Sequence, residues 1–362
     1  MAPYFLIFLL AAFFALAAPP DAPKAGAGRG AFILFAILVA LMIGFRWRVG
    51  GDWSWDTQRM IRLGDADLTD YFAVADPGYA LMMWLGTKSG FNIWFVHLLG
   101  GGIFAYGLWR LCVDQPHPWL CVVVAIPYLV IVVAMGYDRQ AVAIGFVMLA
   151  MVAIRHRSIA GFAGSMALAT TMHLTALTLI PVLLLGSRLN KLWAVIVASP
   201  FFMVGYYYSL QDTIHKKTQT LMSGYIEAGY SSSGAAVRIA MNALPALLYF
   251  VFRSRLKLED EERRFLDVLA LIALAFVGLL YVSPSSTAVD RMALYIIPIQ
   301  LLVLGRLPLN LARTKSDYQL LATGVVVYSA AVMFVWLNFA VDADVWVPYS
   351  LIDADSLVGL SY

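Results

Sequence analysis

The sequence predicts an all-α integral membrane protein, a multi-helix bundle of about 12 transmembrane helices with short helices and loops on its outer face. Mean hydropathy is +0.79, and 62% of the 362 residues are hydrophobic against 13% charged. Apolar runs of near-spanning length recur along the whole chain, and the Lys and Arg residues between them gather in alternate loops. The longest polar stretches, near 45–79 and 211–235, are too short to build cores of their own. Residues 1–362 are therefore expected to form a single membrane domain.

A spanning helix needs roughly 17–25 largely apolar residues. Helices are expected near 3–18, 31–46, 91–111, 119–136, 139–154, 159–172, 173–187, 192–210, 236–252, 265–282, 291–306 and 318–340. The first contains Ala15-Leu16-Ala17, similar to a signal-peptidase site. No Lys or Arg precedes its apolar run, as a signal peptide requires, so a retained first helix is expected. The pair 159–172 and 173–187 reads as one bent helix or as two half-helices meeting at His173. Gly100-Gly101-Gly102 lies inside an apolar run, where small residues serve close helix packing. Cys112 and Cys121 read as small core residues rather than a disulfide or metal pair. There is no CxxC, HExxH, Walker-type or GxGxxG pattern, and Asp65-Ala66-Asp67 is the nearest approach to an acidic metal cluster. Neither a metal nor a cofactor is expected.

One set of loops holds Lys24 and Arg29, Arg110, Arg155 and Arg157, Arg188 and Lys191, the run from Arg253 to Arg264, and Arg306, Arg313 and Lys315. It carries 15 Lys/Arg and 8 Asp/Glu, whereas the remainder of the chain carries 10 and 14. Cytoplasmic loops are enriched in Lys and Arg, so the first set is expected to face the cytoplasm and both termini to face outward. The run 253–264 reads as a solvated loop, and the cytoplasmic half of the bundle as free of buried charge.

The same topology places Asp52, Arg139, His173, Asp290 and Arg291 on the outer face, each at the mouth of an apolar segment. A charge kept beside hydrocarbon costs roughly 3 kcal/mol and marks a functional site. In the outer loop near 47–90, Arg48 and Asp52 flank Gly50-Gly51, which frees the backbone for close approach of a ligand. Trp47, Trp53 and Trp55 suit an interfacial belt or a sugar-stacking platform. Asp76-Pro77-Gly78-Tyr79 opens a short apolar run, 80–86, that reads as a re-entrant or interfacial helix. Tyr137-Asp138-Arg139-Gln140 separates two helices by almost nothing. The guanidinium fork of Arg139 suits phosphate oxygens, unless Asp138 and Arg139 satisfy each other. His173 is a proton acceptor or phosphate donor, or a satisfied core residue. Arg291 and Tyr295 are four residues apart on one helical face, beside a helix N-terminus that attracts anions. The loop 211–235, with His215-Lys216-Lys217, reads as a lid or substrate groove.

Taken together, Arg48-Val49-Gly50-Gly51-Asp52, Asp76-Pro77-Gly78-Tyr79, Asp138-Arg139-Gln140, His173-Leu174-Thr175-Ala176, Asp290-Arg291-Met292-Ala293-Leu294-Tyr295 and Trp346-Val347-Pro348-Tyr349 give a sequence that resembles the EpsG-like exopolysaccharide polymerases, relatives of the Wzy-type O-antigen polymerases. The resemblance covers nearly the whole chain in the family's order. It departs at Asp76, where the family often has Glu, and near Gly51, where Thr or Asn is common.

The resemblance implies a GT-C-like, inverting glycosyltransferase of the bacterial inner membrane. Such an enzyme transfers a growing glycan from undecaprenyl diphosphate to a new lipid-linked repeat unit at the periplasmic face. The implied partners are lipid-linked oligosaccharide donor and acceptor, membrane lipid, and chain-length or export proteins, with no nucleic acid. On this reading Asp52 is the general base, with His173 as the other candidate, and Arg48, Arg139 and Arg291 hold the diphosphate. Tyr79, Gln140, Tyr295, Asp290 and Trp53 contact substrate. A flippase for lipid-linked oligosaccharide and an O-antigen-ligase-like transferase are the alternatives.

Overall fold

The structure, a computed structural model, describes residues 1–20, 24, 26–187, 232 and 234–351. Among the described residues the chain is helical, with one antiparallel bridge, between Arg46 and Leu351, as its sole extended pairing. In chain order the helices are α1 (Ala2–Ala17), α2 (Gly26–Gly44), α3 (Gly51–Leu63), α4 (Leu68–Val74), α5 (Pro77–Lys88), α6 (Asn92–Val113), α7 (Pro118–Gly136), α8 (Asp138–Arg155), α9 (Ile159–Met172) and α10 (Leu179–Gly186). Then come α11 (Ala235–Phe252), α12 (Asp260–Val282), α13 (Ser286–Ala293), α14 (Pro298–Leu304), α15 (Leu307–Leu311) and α16 (Lys315–Phe339).

Among the described residues five helices, α6, α7, α11, α12 and α16, are long and apolar enough to cross a membrane. A sixth span arises if Ser286–Ile296 and Pro298–Leu311, bent by 45°, count as one. The helices α1, α2, α9 and the segment Leu174–Gly186 are apolar but shorter. At 1.5 Å per residue, the 16 residues of α1 reach about 24 Å against a hydrocarbon core of about 30 Å. The helix expected at 192–210 and nearly all of the loop 211–235 lie outside the described residues. The expected outer loop 47–90 is not irregular chain: it folds into α3, α4 and α5.

The helix α7 is the centre of the bundle, buried around its whole circumference, as its unbroken apolar composition requires. Its stretch Ile126–Val133 is π-helical. Pro127, at the start of that stretch, has no N–H to give and its ring crowds the preceding turn, so the hydrogen-bond ladder loses its register there. Next to it, α8 packs between α6 and α9. A Cβ on Gly107 of α6 would lie 2.2 Å from the Gly145 carbonyl oxygen of α8, so glycine alone permits that approach. Gly100 and Gly101 do the same against Val142 and α2, while Gly102 faces open space. Cys112 and Cys121 are free and buried.

Three expectations change. The charged run 253–264 is loop only in part, since α12 begins at Asp260 with Asp260, Glu261 and Glu262 in its first turn, where acidic groups face the positive end of the helix dipole. The end of the bundle where α8 finishes is not free of buried charge: Arg306, 4% exposed, donates to Glu262 Oε1 at 2.9 Å and to Gln115 Oε1 at 2.7 Å. The helix expected from 291 begins five residues earlier, at Ser286, because the Ser285 hydroxyl caps it by accepting from the Ala288 N–H.

Candidate active site

The site is assembled at the end of the bundle where α8 begins. The chain leaves α7 through a break of a single residue, Tyr137, and starts α8 at Asp138. The Asp138 carboxylate is buried, 5% exposed. One oxygen accepts from Arg46 Nη2, and the other lies 2.9 Å from His97 Nε2. Arg46 is wholly buried, and it also donates from Nε to the Val49 carbonyl at 3.0 Å and from Nη1 to the Ile43 carbonyl at 2.6 Å. A buried ion pair is tolerable only when its remaining donors and acceptors are met. Here meeting them pins the ends of α2, α6 and α8 together.

The backbone N–H of Asp138 donates to Asp52 Oδ2 at 3.0 Å. Asp52 is the second residue of α3, a polar helix outside the spans. Gly50, just before α3, has φ +96°, and a Cβ there would lie 1.6 Å from the Met135 carbonyl oxygen. The glycine expected to admit a ligand instead admits the chain's own backbone. Gly136 likewise leaves room for the Trp346 indole, whose Nε1 donates to the Ile131 carbonyl at 2.9 Å. The Trp346 carbonyl in turn accepts from the Tyr4 hydroxyl at 2.8 Å. The motif near the C-terminus thus wedges the turn that presents Asp138.

One turn beyond Asp52, Asp56 is buried and accepts from the Tyr79 hydroxyl and from Arg59, both at 2.6 Å. Burial, next to the Asp138 and Asp56 carboxylates, pushes the Asp52 carboxyl up to about 7, with Arg139 and Arg291 opposing the rise. Burial and Asp138 also raise Asp56.

Asp76, immediately before α5, gathers two further groups. Its Oδ2 is 3.6 Å from Arg139 Nη1 and 3.3 Å from His173 Nδ1. His173 ends α9 in an extended conformation, and a short 3-10 helix, Leu174–Thr178, follows. The two half-helices therefore meet at the histidine. Gln140 donates to the Arg291 carbonyl at 2.6 Å, and the Arg291 guanidinium lies 6.0 Å from the centre of the Tyr137 ring.

Asp52, Tyr79, Arg139, Gln140, His173 and Arg291 are thus brought to one end of the bundle. The others are engaged in different contacts. Arg48, at φ +52°, is exposed with its guanidinium over the Trp47 ring. Asp290 is buried and held by Arg238 at 2.8 and 2.6 Å. Trp53 is only 5% exposed and packs edge-on against Trp47, so the exposed indole of this loop is Trp55. Tyr295 is buried, its hydroxyl 3.0 Å from that of Thr175. Arg291 lies in the last turn of α13 rather than at a helix N-terminus, and the switch to 3-10 geometry at Leu294 separates it from Tyr295. Asp138 and Arg139 do not satisfy each other, because Asp138 turns inward to Arg46 and His97 while Arg139 reaches Asp76.

Arg46, His97, Asp56 and Arg238 were not singled out by the sequence. Arg46 stood in the sequence beside Arg48 with nothing to tell the two apart. The contact of His97 with Asp138 spans 41 residues and crosses from α6 to α8. A family model described as the EpsG family matches residues 31–351. Neither a curated protein nor a solved structure matches the chain.

Proposed function

From the premise that this chain belongs to the EpsG family, we propose that it is an exopolysaccharide polymerase, an inverting glycosyltransferase of GT-C type that moves a glycan from undecaprenyl diphosphate to a lipid-linked acceptor. The observation that carries the reading is the turn at 137–140, where Asp52 accepts from the Asp138 N–H, Arg139 follows, and Gln140 donates to the Arg291 carbonyl. Loss of a polyprenyl diphosphate leaves negative charge on the leaving oxygens, and fixed cations aimed there stabilise it. Arg139 and Arg291 have the chemistry for that task, with His173 beside Asp76, the partner of Arg139. Asp52, titrating near neutrality, removes the proton of the acceptor hydroxyl. Tyr79 and Gln140 position the groups around it, one through Asp56 and the other through the Arg291 carbonyl. In this reading α8, the four shorter apolar segments and the helix expected at 192–210 also cross, giving about 12 passes in a plasma membrane, with the site on the outer face.

Purified protein in detergent, supplied with lipid-linked repeat units, is expected to make long polymer. Asp52→Asn, Arg139→Ala and Arg291→Ala should each abolish it at normal expression. Long chains from all three variants would overturn the assignment. A flippase reading has one observation in its favour, the buried Arg306–Glu262 pair at the opposite end of the bundle. The same assay separates the two, because a flippase makes no polymer when no membrane divides the substrates.

A further inference from the structure

Between α11 and α16 lies a cleft of about 550 Å³. Its rim and its less exposed lining differ. At the rim, the walls are aliphatic and aromatic: Val237 and Leu244 from α11, Val335 and Phe339 from α16. These four are themselves exposed, Phe339 by 71%, so the walls open onto the apolar outer surface of the bundle. The less exposed lining is polar, with Arg238, Tyr128 and Tyr137, the residue that joins α7 to α8, and the exposed Asp342 also borders the cleft. The cleft follows α11 from Gly234 to Leu244 and α16 from Ala340 back to Tyr328. Those lengths correspond to about 15–18 Å, roughly half the thickness of a hydrocarbon core.

Three features define what fits. The cleft is long and apolar, within the size range of a ligand site, and suits one flexible hydrocarbon chain. Its polar lining meets the candidate active site at Tyr137, whose ring centre lies 6.0 Å from the Arg291 guanidinium. The Tyr128 hydroxyl belongs to that lining, 3% exposed, with no hydrogen-bond partner among the described residues. A buried hydroxyl without a partner is unfavourable until a ligand supplies one. A polyprenyl diphosphate has the matching parts: a single apolar tail and an anionic head.

We propose that this cleft binds the first isoprene units of a polyprenyl diphosphate, with the diphosphate at Tyr137 and Arg291 and the tail running between α11 and α16 toward the bilayer. The assignment rests on the polymerase reading. It adds the route by which the lipid carrier reaches Asp52.

Photolabelling tests it. The full-length chain is placed in nanodiscs of phosphatidylethanolamine and phosphatidylglycerol with a polyprenyl diphosphate bearing a benzophenone on its isoprenoid chain. Labelling is expected on the cleft-facing residues of α11 and α16, such as Met241 and Val332. Excess undecaprenyl diphosphate should displace it, and extra phosphatidylglycerol should not. Ala240→Trp and Ala331→Trp fill the cleft from opposite walls at exposed positions, so the fold tolerates them. Each should cut labelling at least tenfold, whereas Leu271→Trp, at an exposed position of α12, should leave it unchanged. Label spread over all lipid-facing helices, displacement by phosphatidylglycerol, or full labelling of both cleft tryptophans would overturn the proposal. Polymer assays on the same samples keep the two readings apart. A labelled cleft with no polymer from the parent protein rejects the polymerase and retains the cleft; active, fully labelled cleft tryptophans do the reverse.

Discussion

Asp52 and Asp138, 86 residues apart, are joined by a hydrogen bond from the backbone N–H of one to the carboxylate of the other at 3.0 Å. The side chain of Asp138 is occupied by Arg46 and His97. Two carboxylates are thereby kept close while only one is neutralised by a buried cation. The other, Asp52, is left with a raised affinity for protons, as a base working near neutral pH needs.

Asp52→Asn tests the chemical role most cleanly. The amide oxygen can still accept from the Asp138 N–H, so α3 should stay in place and thermal stability should change little. Loss of a general base costs typically 10²–10⁴-fold in rate. The expected result is that drop in kcat with a nearly unchanged melting temperature in detergent. A large fall in stability would indicate a structural role instead.

The pH dependence follows from the sign of the Asp52 shift. The carboxyl is raised from its ordinary range to about 7, so it is protonated, and inactive as a base, below that pH. The kcat/KM should therefore rise about tenfold per pH unit up to pH near 7 and level off above it. In Asp52→Asn the residual rate should lose this limb. A parent profile already flat from pH 5 would place the base elsewhere, with Asp56, also raised, as the next residue to test.

Arg139→Lys separates charge from geometry. Lysine keeps a cation beside Asp76 but lacks the planar fork that meets two phosphate oxygens at once. Polymer formation should fall clearly in Arg139→Lys and further in Arg139→Ala. Arg48→Ala should change it little, because that guanidinium is exposed over Trp47. Initial rates measured on purified lipid-linked repeats check the order, and equal losses at Arg48 and Arg139 would contradict it.

The helices and the charges at their mouths were legible in the sequence because membrane spans need apolar length and because a charge beside hydrocarbon needs a reason. The helix α9 spans the expected 159–172, and α16 ends one residue before the expected 340 but begins three residues before the expected 318. The pairing of the charges was not legible. Arg46 and Arg48 differ by two positions, yet one is wholly buried and the other exposed, and only the meeting of α2 with α6 and α8 decides which. Asp290 stood out as a charge at the mouth of an apolar segment, and the resemblance implied a substrate contact for it. Its partner Arg238 comes from α11, 52 residues away. The π-helical stretch was equally hidden, since Pro127 announces a break without saying how the ladder is repaired.

Arg46→Met removes the buried cation and strands the Asp138 carboxylate with His97 alone. Breaking a buried pair from one side costs about 3–5 kcal/mol, because the remaining charge has lost its partner. The double variant Arg46→Met with Asp138→Asn should recover part of that loss, since no charge is then left uncompensated. Thermal unfolding in detergent measures both. If the single variant were as stable as the parent, the three-residue cluster would not be what holds α2, α6 and α8 together.

Gly50→Ala should be among the most damaging small substitutions in the chain, and Gly102→Ala among the mildest. At Gly50 a methyl group would meet the Met135 carbonyl oxygen at 1.6 Å, and φ of +96° is strained for any other residue. Relief requires α3 to move away from the turn at 135–136, which carries Asp52 away from the Asp138 amide. Activity should be lost even where some protein remains folded. At Gly102 the methyl would meet nothing within 4 Å, on a helix interior where alanine is favoured over glycine by roughly 1 kcal/mol. Polymer length in cells, with expression checked by immunoblot, reads out the contrast. A Gly50→Ala strain making long chains would mean that α3 need not sit against this turn for catalysis.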